Sequence, residues 1–421
     1  MKVDLIIENA AQLVTCASGG APKRGDRMRD VGIVKNGALA IVGGKIVGVG
    51  ESVEINANFQ SETVIDASDK VVCPAFVDPH THVVFAGNRL NEFELKIKGA
   101  DYLEILENGG GIISTVRQTR QASLETLIEQ TRRRLDEMLA CGTLTAEIKT
   151  GYGLDTATEL KMLEAIFELD KIHAIDLVPT FLPAHAFPTE YKGREEEYVD
   201  LICDEMLPLA RTVISQQLSV SSYFADVFCE KNAFSLEQSK RVLETAKRLG
   251  FGLKAHVDEF TNLGGARLAI ELGATSIDHL DATSDEEIEL LAKSNTIGIV
   301  TPTVNFNFGS AHFADARKMI DRGCAIAVST DYNPGSAPCP SQPLAMAIAC
   351  RYQKLLPSEA FNAATINAAF AVGLGKFVGS LEVGKYADVL ILETDDYQQI
   401  AYEFGANFIE TIIKKGKITA R

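Results

Sequence analysis

The sequence predicts an α/β fold: a (β/α)8 TIM barrel with a second, small β-sandwich domain that is built from both chain ends. Apolar, β-prone runs alternate with amphipathic helical stretches through the middle of the 421-residue chain, and eight such strand–helix units specify a barrel. Both ends contain short strands and turns instead, and chain ends commonly lie close together. We therefore expect a β domain of residues 1–73 and 372–421, with a barrel of residues 74–371 inserted between its two parts.

The small domain takes its strands from both ends of the chain. The N-terminal segment contains the β-prone runs VDLIIENA, LAIVGGKIVGVG and ETVIDASDKVV. Gly43 and Gly44 lie between two β-prone runs, which indicates a hairpin. The C-terminal segment repeats this pattern with YADVLILE and FIETIIKK, followed by the turn KKGKI.

The barrel elements follow from the alternation in the middle of the chain. Helical stretches such as SLETLIEQTRRRLDEMLACG and SLEQSKRVLETAKRLG each begin at a serine, which is a good N-cap, and end at a glycine. The eight strands are expected near residues 75–82, 143–149, 176–182, 225–229, 252–256, 274–279, 297–302 and 325–330.

The charge balance restricts the partners. The chain carries 41 Lys and Arg against 57 Asp and Glu, a formal net charge of −16. We therefore expect neither a nucleic acid nor a membrane surface as a partner. A small anionic substrate would need its own local cation in such a protein. Symmetric dimers are the commonest oligomers, so a homodimer is one expectation, although no segment of the sequence marks an interface.

The cysteines and the apolar runs indicate the compartment. Eight cysteines are scattered along the chain without a C-x-x-C pair, which is typical of reduced thiols in a cytosolic protein. Asp4 and Glu8 interrupt the N-terminus, where a signal peptide would need an apolar core. No apolar run approaches the roughly 20 residues of a membrane span. We expect a soluble, cytoplasmic protein.

Five of the seven histidines fall at the ends of predicted strands. Catalytic groups of a (β/α)8 barrel lie at the carboxyl ends of its strands. Taken alone, a histidine there is more often a hydrogen-bonded structural residue, Asp331 could be a helix N-cap, and Lys149 is expected to be a cation of a loop or of the rim. The convergence of several such groups on one rim favours a functional site. These groups are His80, His82, His185, His256, His279 and Asp331.

Four of these residues form a candidate metal site. His80 and His82 occur in VDPHTHVVFAGNR, and residues two apart in a strand point to the same face. Histidine nitrogens with a carboxylate oxygen suit a borderline divalent ion such as Zn²⁺, Fe²⁺ or Mn²⁺. We expect His80, His82, His256 and Asp331 to hold the ion, with one position open for water, whose pKa such an ion lowers to about 7.

The motifs resemble those of the amidohydrolase superfamily, whose members are metal-dependent hydrolases built on a (β/α)8 barrel with a flanking β domain. VDPHTH is followed by HVDE, DHL and STDYNPGS. From about residue 70 to 375, DPHTHVVFAGNR, GGGIISTVRQTR, AEIKTGYGL, LPAHAFP and TDYNPGS are similar to the members that open the cyclic amide of 4-imidazolone-5-propanoate, in histidine breakdown. One departure is Ala75, where those proteins usually have glycine before the first barrel strand.

The resemblance implies one divalent metal ion, Zn²⁺ or iron as Fe²⁺ or Fe³⁺. Some members of the superfamily bridge two metal ions with a carboxylated lysine on the fourth barrel strand. The corresponding run here, FADVFCE, contains no lysine. This favours a single ion.

The resemblance also implies roles for residues around the metal site. Arg89 matches the arginine that binds the substrate carboxylate, a pairing that suits the two-pronged guanidinium. Glu259 is assigned to protonate the ring nitrogen as the C–N bond breaks. His279 is assigned to position and deprotonate the attacking water, with Asp331 as a competing candidate that the sequence does not separate from it. The remaining substrate contacts implied are Glu259, Tyr152, His185, Asn333, Gly335 and Ser336.

Two alternatives share parts of this pattern. A deaminase of the same superfamily, acting on guanine or an aminopyrimidine, would have the same metal ligands, together with Glu259 and His279. Arg89, Tyr152 and His185 argue against it, because together they suit a substrate with a carboxylate. A non-catalytic relative that keeps the barrel for assembly would be expected to have lost ligands, and none is missing here.

Overall fold

A computed structural model describes residues 1–98, 110–217 and 222–420. Its larger sheet is parallel and curls into a nearly closed barrel in the strand order β6-β7-β8-β9-β11-β12-β13-β14, with β10 paired to β9. The fifth barrel strand is thus made of two short pieces, β10 and β11. The strands are β6 Phe76–Asp78, β7 Thr143–Lys149, β8 Asp176–Ala184, β9 Phe224–Cys229, β10 Gly252–Leu253, β11 His256–Val257, β12 Ser276–His279, β13 Ile297–Val300 and β14 Ile326–Val328. The predicted barrel is confirmed.

The seam between β14 and β6 is closed by single contacts rather than by a long ladder. Thr81 and Tyr332 form an isolated parallel bridge, in which the backbone N–H of His82 donates to the Tyr332 carbonyl at 2.9 Å. Below this bridge, the Asp78 carboxylate accepts hydrogen bonds from Ser329 and Thr330. The seam therefore holds together two chain segments that both lead into the rim.

The helices mostly cover the outside of the barrel, except that Ser52–Asn58 packs on the sheet built from the chain ends. They are α1 Ser52–Asn58, α2 Leu90–Ile97, α3 Ile112–Gln121, α4 Leu124–Ala140, α5 Thr156–Ile172, α6 Glu195–Leu201, α7 Leu207–Ser215, α8 Leu236–Arg248, α9 Gly265–Leu272, α10 Asp285–Lys293, α11 Pro302–Asn307, α12 Ala316–Asp321, α13 Gln342–Tyr352, α14 Pro357–Ala363, α15 Ile366–Ala371 and α16 Gln399–Tyr402. Three short turns are 3₁₀ or π helix, at Gly25–Arg29, Thr189–Tyr191 and Ile202–Met206. No helix among residues 1–98, 110–217 and 222–420 is long and apolar enough to cross a membrane.

Local signals explain where the helices begin and which face they bury. Ser123 caps α4 and Ser235 caps α8, each by accepting a backbone N–H of the first turn, and Gln238 completes a capping box with Ser235. In α4, Leu127 and Leu135 repeat on the side that packs on the barrel and are fully buried. The predicted serine starts of both helices are therefore confirmed.

The chain ends combine into a second, mixed sheet of eight strands. Its order is β17-β16-β15-β5-β1-β2-β3, with β4 paired to β1. Gly43 and Gly44, both at positive φ, form the predicted hairpin turn between β2 and β3. The strands are β1 Leu5–Val14, β2 Ile33–Val42, β3 Lys45–Glu51, β4 Val64–Asp66, β5 Val71–Pro74, β15 Val389–Leu392, β16 Ile409–Lys414 and β17 Lys417–Ala420. The segment bounds at residues 73 and 371 stay predictions.

Ala75, the residue that departs from the related proteins, fits between β5 and β6. It is buried, and its backbone N–H donates to the Asp388 carbonyl at 3.0 Å. Its φ is not positive, so the methyl group meets no backbone strain there. The entry into the first barrel strand is therefore intact.

Candidate active site

The four residues predicted to bind a metal meet at the carboxyl end of the barrel. His82 Nε2 lies 3.2 Å from His80 Nε2 and 3.2 Å from His256 Nε2. Asp331 Oδ1 lies 3.5 Å from His80 Nε2 and 3.6 Å from His82 Nε2. All four side chains are buried. The structure thus brings together side chains from the segments after β6 and β14 and from β11.

The electrostatics of this group suit a cation. Burial, with Lys149 and neighbouring histidines as further causes, holds the pKa of His80 well below its usual range, and burial with nearby histidines does the same for His82. Both imidazoles are therefore neutral and carry a lone pair. Burial raises the pKa of Asp331 well above its usual range, so its charged form needs a nearby positive charge. These donors fit a borderline divalent ion.

His279 and Glu259 lie beside these ligands. His279 ends β12 with a φ of 81°, which turns its ring toward the site, 5.3 Å from the ring of His80. Its Nδ1 lies 3.1 Å from Thr301 Oγ1, while the buried Nε2 has no hydrogen-bond partner within the described part of the chain. Ligand atoms of His80, His279 and Asp331 lie within 4.8 Å of one another. The geometry alone therefore leaves His279 within reach of an ion bound there.

Glu259 faces the free nitrogen of His279, with Oε2 3.9 Å from Nε2. Burial, and then the acidic neighbours Asp331 and Asp281, raise the pKa of Glu259 well above its usual range. This setting favours the protonated form of the carboxyl group. That group is thus able to donate a proton to an atom in the cavity.

These residues line a cavity of about 270 Å³. Apolar and aromatic walls, which the sequence reasoning missed, come from Ile112, Phe228, Phe260 and Phe308. Their only sequence signal is a place near a strand end or a helix start. The predicted residues that line the cavity are His82, Arg89, Tyr152, His185, His256, Glu259, His279, Asp331, Asn333, Gly335 and Ser336. His80 lies beneath this lining.

Arg89 reaches the cavity, but it is not a free cation. Its Nε donates to Glu92 Oε1 at 2.8 Å and its Nη2 to Glu92 Oε2 at 2.6 Å. Glu92 also accepts the backbone N–H of Gly111 at 2.9 Å, just before α3. The third nitrogen, Nη1, lies close to Gly335: a Cβ atom added to that glycine would be 2.1 Å from Nη1. Glu92 thus fixes the guanidinium, and Nη1 is the nitrogen directed toward the cavity loop.

The loop after β14 is built around Asn333. Its Oδ1 accepts the backbone N–H groups of Gly335 and Ser336 at 2.8 and 2.7 Å. Its Nδ2 donates to the Asp331 carbonyl at 2.8 Å and to Ser336 Oγ at 2.7 Å. Asn333 therefore shapes the turn that presents Asp331. Its predicted contact with the substrate stays a prediction.

Tyr152 and His185 form an aromatic wall beside the metal-binding histidines. The His185 ring stacks on His82 at a centroid distance of 4.9 Å, and Tyr152 lies 5.4 Å from His185. Burial lowers the pKa of His185 to about 3. Its Nδ1 lies 3.0 Å from the Gly151 carbonyl, so that nitrogen carries the hydrogen. The neutral ring then presents Nε2 as an acceptor.

The sequence suggested that Lys149 lies in a loop or on the rim, but the structure shows it fully buried beneath the site. Burial acts to lower its pKa, but the carboxylates of Asp226, Glu147 and Asp278 outweigh burial and raise it. The expectation was wrong because a charged residue inside an apolar strand can be paired internally rather than exposed. The available signal was alternation, since Glu147 and Lys149 are two apart and point to the same face.

A second cavity, of about 460 Å³, adjoins the first behind Arg89. It shares Arg89, Asn333 and Gly335 with the first cavity, and its own wall includes Arg133 and Phe93. None of the described histidines lines it. Glu259, Asp331 and the cavity-lining histidines therefore line the smaller cavity and not this one.

The barrel, the flanking sheet and the histidine-aspartate cluster together define an amidohydrolase. The Amidohydrolase family matches residues 71–419, and the chain belongs to that family.

Within that family, its sequence groups with the imidazolonepropionases. It is 50% identical to imidazolonepropionase from Chloroflexus aggregans over 418 residues, which cover 99% of this chain and 98% of the relative. It is also 50% identical to imidazolonepropionase from Herpetosiphon aurantiacus over 419 residues, covering 99% and 97%.

Solved structures with the same fold are more distant in sequence. An adenosine deaminase from Xanthomonas campestris with bound zinc superposes with a TM-score of 0.74 at 19% identity, covering 100% of this chain and 93% of that one. E. coli guanine deaminase gives 0.74 at 17% identity, covering 99% of each chain. At these identities the similarity shows the fold alone.

Proposed function

We propose that this protein is a hydrolase that opens the cyclic amide of 4-imidazolone-5-propanoate to give N-formimino-L-glutamate, a step of histidine degradation. The observation that supports it best is that one cavity is lined both by three of the four candidate metal ligands and by Arg89. The first group suits attack on an amide carbonyl, and the second suits a substrate with a carboxylate tail. The similarity to imidazolonepropionases over 99% of the chain adds independent support.

His80, His82, His256 and Asp331 would hold one divalent ion, Zn²⁺ or iron. When bound, such an ion polarises the amide carbonyl and makes hydroxide available at neutral pH. The support for these ligands is the convergence of three Nε2 atoms and one carboxylate oxygen in a buried site. Neutral imidazoles and a carboxylate are the protonation states that such an ion requires.

His279 orients the attacking water. In the tautomer whose Nδ1–H donates to Thr301 Oγ1, the Nε2 lone pair is directed into the cavity. A neutral imidazole can accept a hydrogen bond, and then the proton, from water at that nitrogen. Asp331 remains a competing acceptor for this proton, because its carboxylate lies on the same side of the site.

Glu259 delivers the proton that the departing ring nitrogen needs. Its carboxyl group is close to His279 Nε2, at 3.9 Å, and its raised pKa keeps it protonated until the C–N bond breaks. Water supplies the oxygen of the new carboxylate, and the nitrogen leaves with the proton from Glu259. The proton taken up by His279 can then restore Glu259 across this short gap.

Arg89 binds the propionate carboxylate through Nη1, while Glu92 holds the other two guanidinium nitrogens. Tyr152 and His185 place aromatic surface and a hydrogen-bond acceptor beside the ring. The Asn333–Ser336 turn closes the same side of the cavity. The substrate would thus be held at its tail and at its ring.

The decisive experiment is hydrolysis by the purified protein of freshly prepared 4-imidazolone-5-propanoate, followed as loss of the ring absorbance. Guanine and cytosine are the controls, since a deaminase of this fold would act on such rings. Turnover of guanine or cytosine without turnover of the imidazolone would overturn the proposal.

A cytoplasmic location, in keeping with eight unpaired cysteines, and a homodimeric assembly are part of the proposal.

A further inference from the structure

A buried charge network lies directly beneath the candidate metal site. The Lys149 ammonium is at its centre, 2.7 Å from Asp226 Oδ2, 2.9 Å from Glu147 Oε1 and 3.4 Å from Asp278 Oδ2. Lys254 is its second ammonium and lies 3.0 Å from Glu147 Oε1. All five side chains have no exposed surface. The network comes from β7, β9, β12 and the gap between β10 and β11.

Two of its carboxylates also support candidate metal ligands. Asp278 Oδ2 lies 2.6 Å from His80 Nδ1. Asp226 Oδ2 lies 3.0 Å from His256 Nδ1, although the angle there is poor for a hydrogen bond, and Asp226 Oδ1 accepts the His256 backbone N–H at 3.2 Å. The same ammonium thus contacts the oxygen of each aspartate that faces an imidazole.

This arrangement explains why the buried lysine is needed. Two aspartates behind two ligands, together with Glu147, place three carboxylates in one dry layer. Without a cation between them they would repel one another, and each would lose hydrogen-bond donors in a place where water cannot replace them. Lys149 supplies three N–H donors at one point, so that all three oxygens are fixed relative to one another.

We propose that Lys149 is a positioning residue for the metal site. Its ammonium holds Asp278 where it accepts the Nδ1–H of His80, and it holds Asp226 beside Nδ1 of His256, so that both rings present the Nε2 lone pair to one point. Groups that hydrogen-bond the far nitrogen of a ligand histidine fix its tautomer and ring orientation. The inference rests on the metal site of the proposed function, but not on its substrate.

The test compares Lys149→Met with Lys254→Met. Each variant removes one buried ammonium from the same layer and keeps a long side chain. Lys254 donates to Glu147 and to the Pro79 carbonyl, and it has no ion pair with Asp226 or Asp278 among those found in the described residues. The comparison therefore separates the bridge between the aspartates from the loss of a charge.

The measured quantity is the affinity of the metal-free proteins for Zn²⁺, by competition with a chromophoric chelator. We expect Lys149→Met to bind Zn²⁺ 10- to 100-fold more weakly than the unmodified protein, with a loss at least fivefold smaller in Lys254→Met. Circular dichroism and thermal unfolding check that both variants fold. Equal losses in the two variants, or an unchanged affinity in Lys149→Met, would overturn the proposal.

A measurement on the unmodified protein keeps the proposal testable if Lys149→Met does not fold. In protein with ¹⁵N-labelled histidine, the ring nitrogen shifts of metal-free His80 and His256 should report the Nδ1–H tautomer. An Nε2–H tautomer for either ring would contradict it. Because no substrate is used, these results stand apart from the assay of the proposed activity. A metal site positioned in this way could still serve a different hydrolase.

Discussion

In the proposed function, the recognition of an anionic substrate depends on one guanidinium that is already paired with a carboxylate. Arg89 gives two nitrogens to Glu92, and only its third faces the Asn333–Ser336 turn. We expect Arg89→Lys to lower kcat/KM about 10- to 100-fold, because a lysine cannot pair with Glu92 at two points and also reach the substrate. This corresponds to the roughly 1.5–3 kcal/mol of one charged hydrogen bond.

Steady-state kinetics on the substrate and on an analogue without the carboxylate measure this effect. The loss should shrink for the analogue. Arg133→Lys is a matched control, because Arg133 lines only the adjoining cavity, and its kcat/KM should change less than twofold. If Arg89→Lys impairs both compounds equally, Arg89 is structural and not the carboxylate receptor.

In the proposed function, proton delivery to the ring nitrogen depends on Glu259. Glu259→Gln keeps the shape of the side chain and removes its acidic proton. We expect kcat to fall about 10²- to 10⁴-fold, with an unchanged metal content and unchanged binding of a substrate analogue. Single-turnover kinetics measure the fall in the rate, and elemental analysis measures the metal content. Near-normal turnover would show that another group, with Asp331 as the first candidate, carries the proton.

His279 lies close enough to the candidate ligands to act either as the residue that orients the water or as a metal ligand. If His279 orients the water, the His279→Ala variant should lose about 10²- to 10⁴-fold in kcat and keep its metal. If His279 is a ligand, the variant should lose metal too, because Nε2 of His279 is within reach of the other ligand atoms. Elemental analysis of His279→Ala after gel filtration distinguishes these outcomes. Metal loss would place His279 in the coordination sphere.

At the scale of strands and helices, much of the fold could be predicted because its signals are local. Serine caps, glycine ends and alternating apolar runs marked the helices and strands to within a few residues. The break between β10 and β11 could not be predicted, because residues 252–257 carry no local turn signal. Lys254 lies in this break and contacts the Pro79 carbonyl and Glu147. The φ of 81° at His279 could not be predicted from the sequence either, although it decides where that ring points.

The same limit applies to the candidate site. A histidine at a strand end is visible as a residue type, so the members of the site could be selected from the sequence. Their partners could not, because the pairing of Arg89 with Glu92 and of Lys149 with Asp226 and Asp278 depends on side-chain positions. The sequence therefore predicted which groups meet, whereas the charge state of each follows from burial.

The capping box of α8 gives a prediction at this scale. Ser235→Ala removes the acceptor for the Gln238 N–H, and we expect the free energy of unfolding to fall by about 1 kcal/mol. Ser235→Asp keeps an acceptor at the same place and should restore most of it. Urea denaturation measures both variants. Since Ser235 does not line the cavity, kcat should stay within twofold. An unchanged stability in Ser235→Ala would contradict the importance of this cap.

On the scale of the whole molecule, the candidate metal site lies across the weakest seam of the barrel. Strands β7 and β8 pair over five residues, whereas no ladder joins β14 to β6 within the described residues. The two are linked by the Thr81–Tyr332 bridge, by side-chain hydrogen bonds to Asp78 and the His80 carbonyl, and by Gln342, which donates to the carbonyls of Val77 and Val328. His80 and His82 lie on one side of this seam and Asp331 on the other. An ion held by all three would join the first and last strands of the barrel.

Removal of the metal should therefore loosen this seam before any other. An ion at 1,000 times its Kd stabilises the folded state by about 4 kcal/mol, so chelation should lower Tm and abolish turnover while the far-ultraviolet circular dichroism is retained. Hydrogen exchange should quicken first at residues 76–82 and 326–332, with β7 and β8 as the internal control. The holoprotein should contain close to one equivalent of zinc or iron. Two tightly held equivalents would contradict the single site, and uniform quickening of exchange across all strands would show that the ion does not act at the seam.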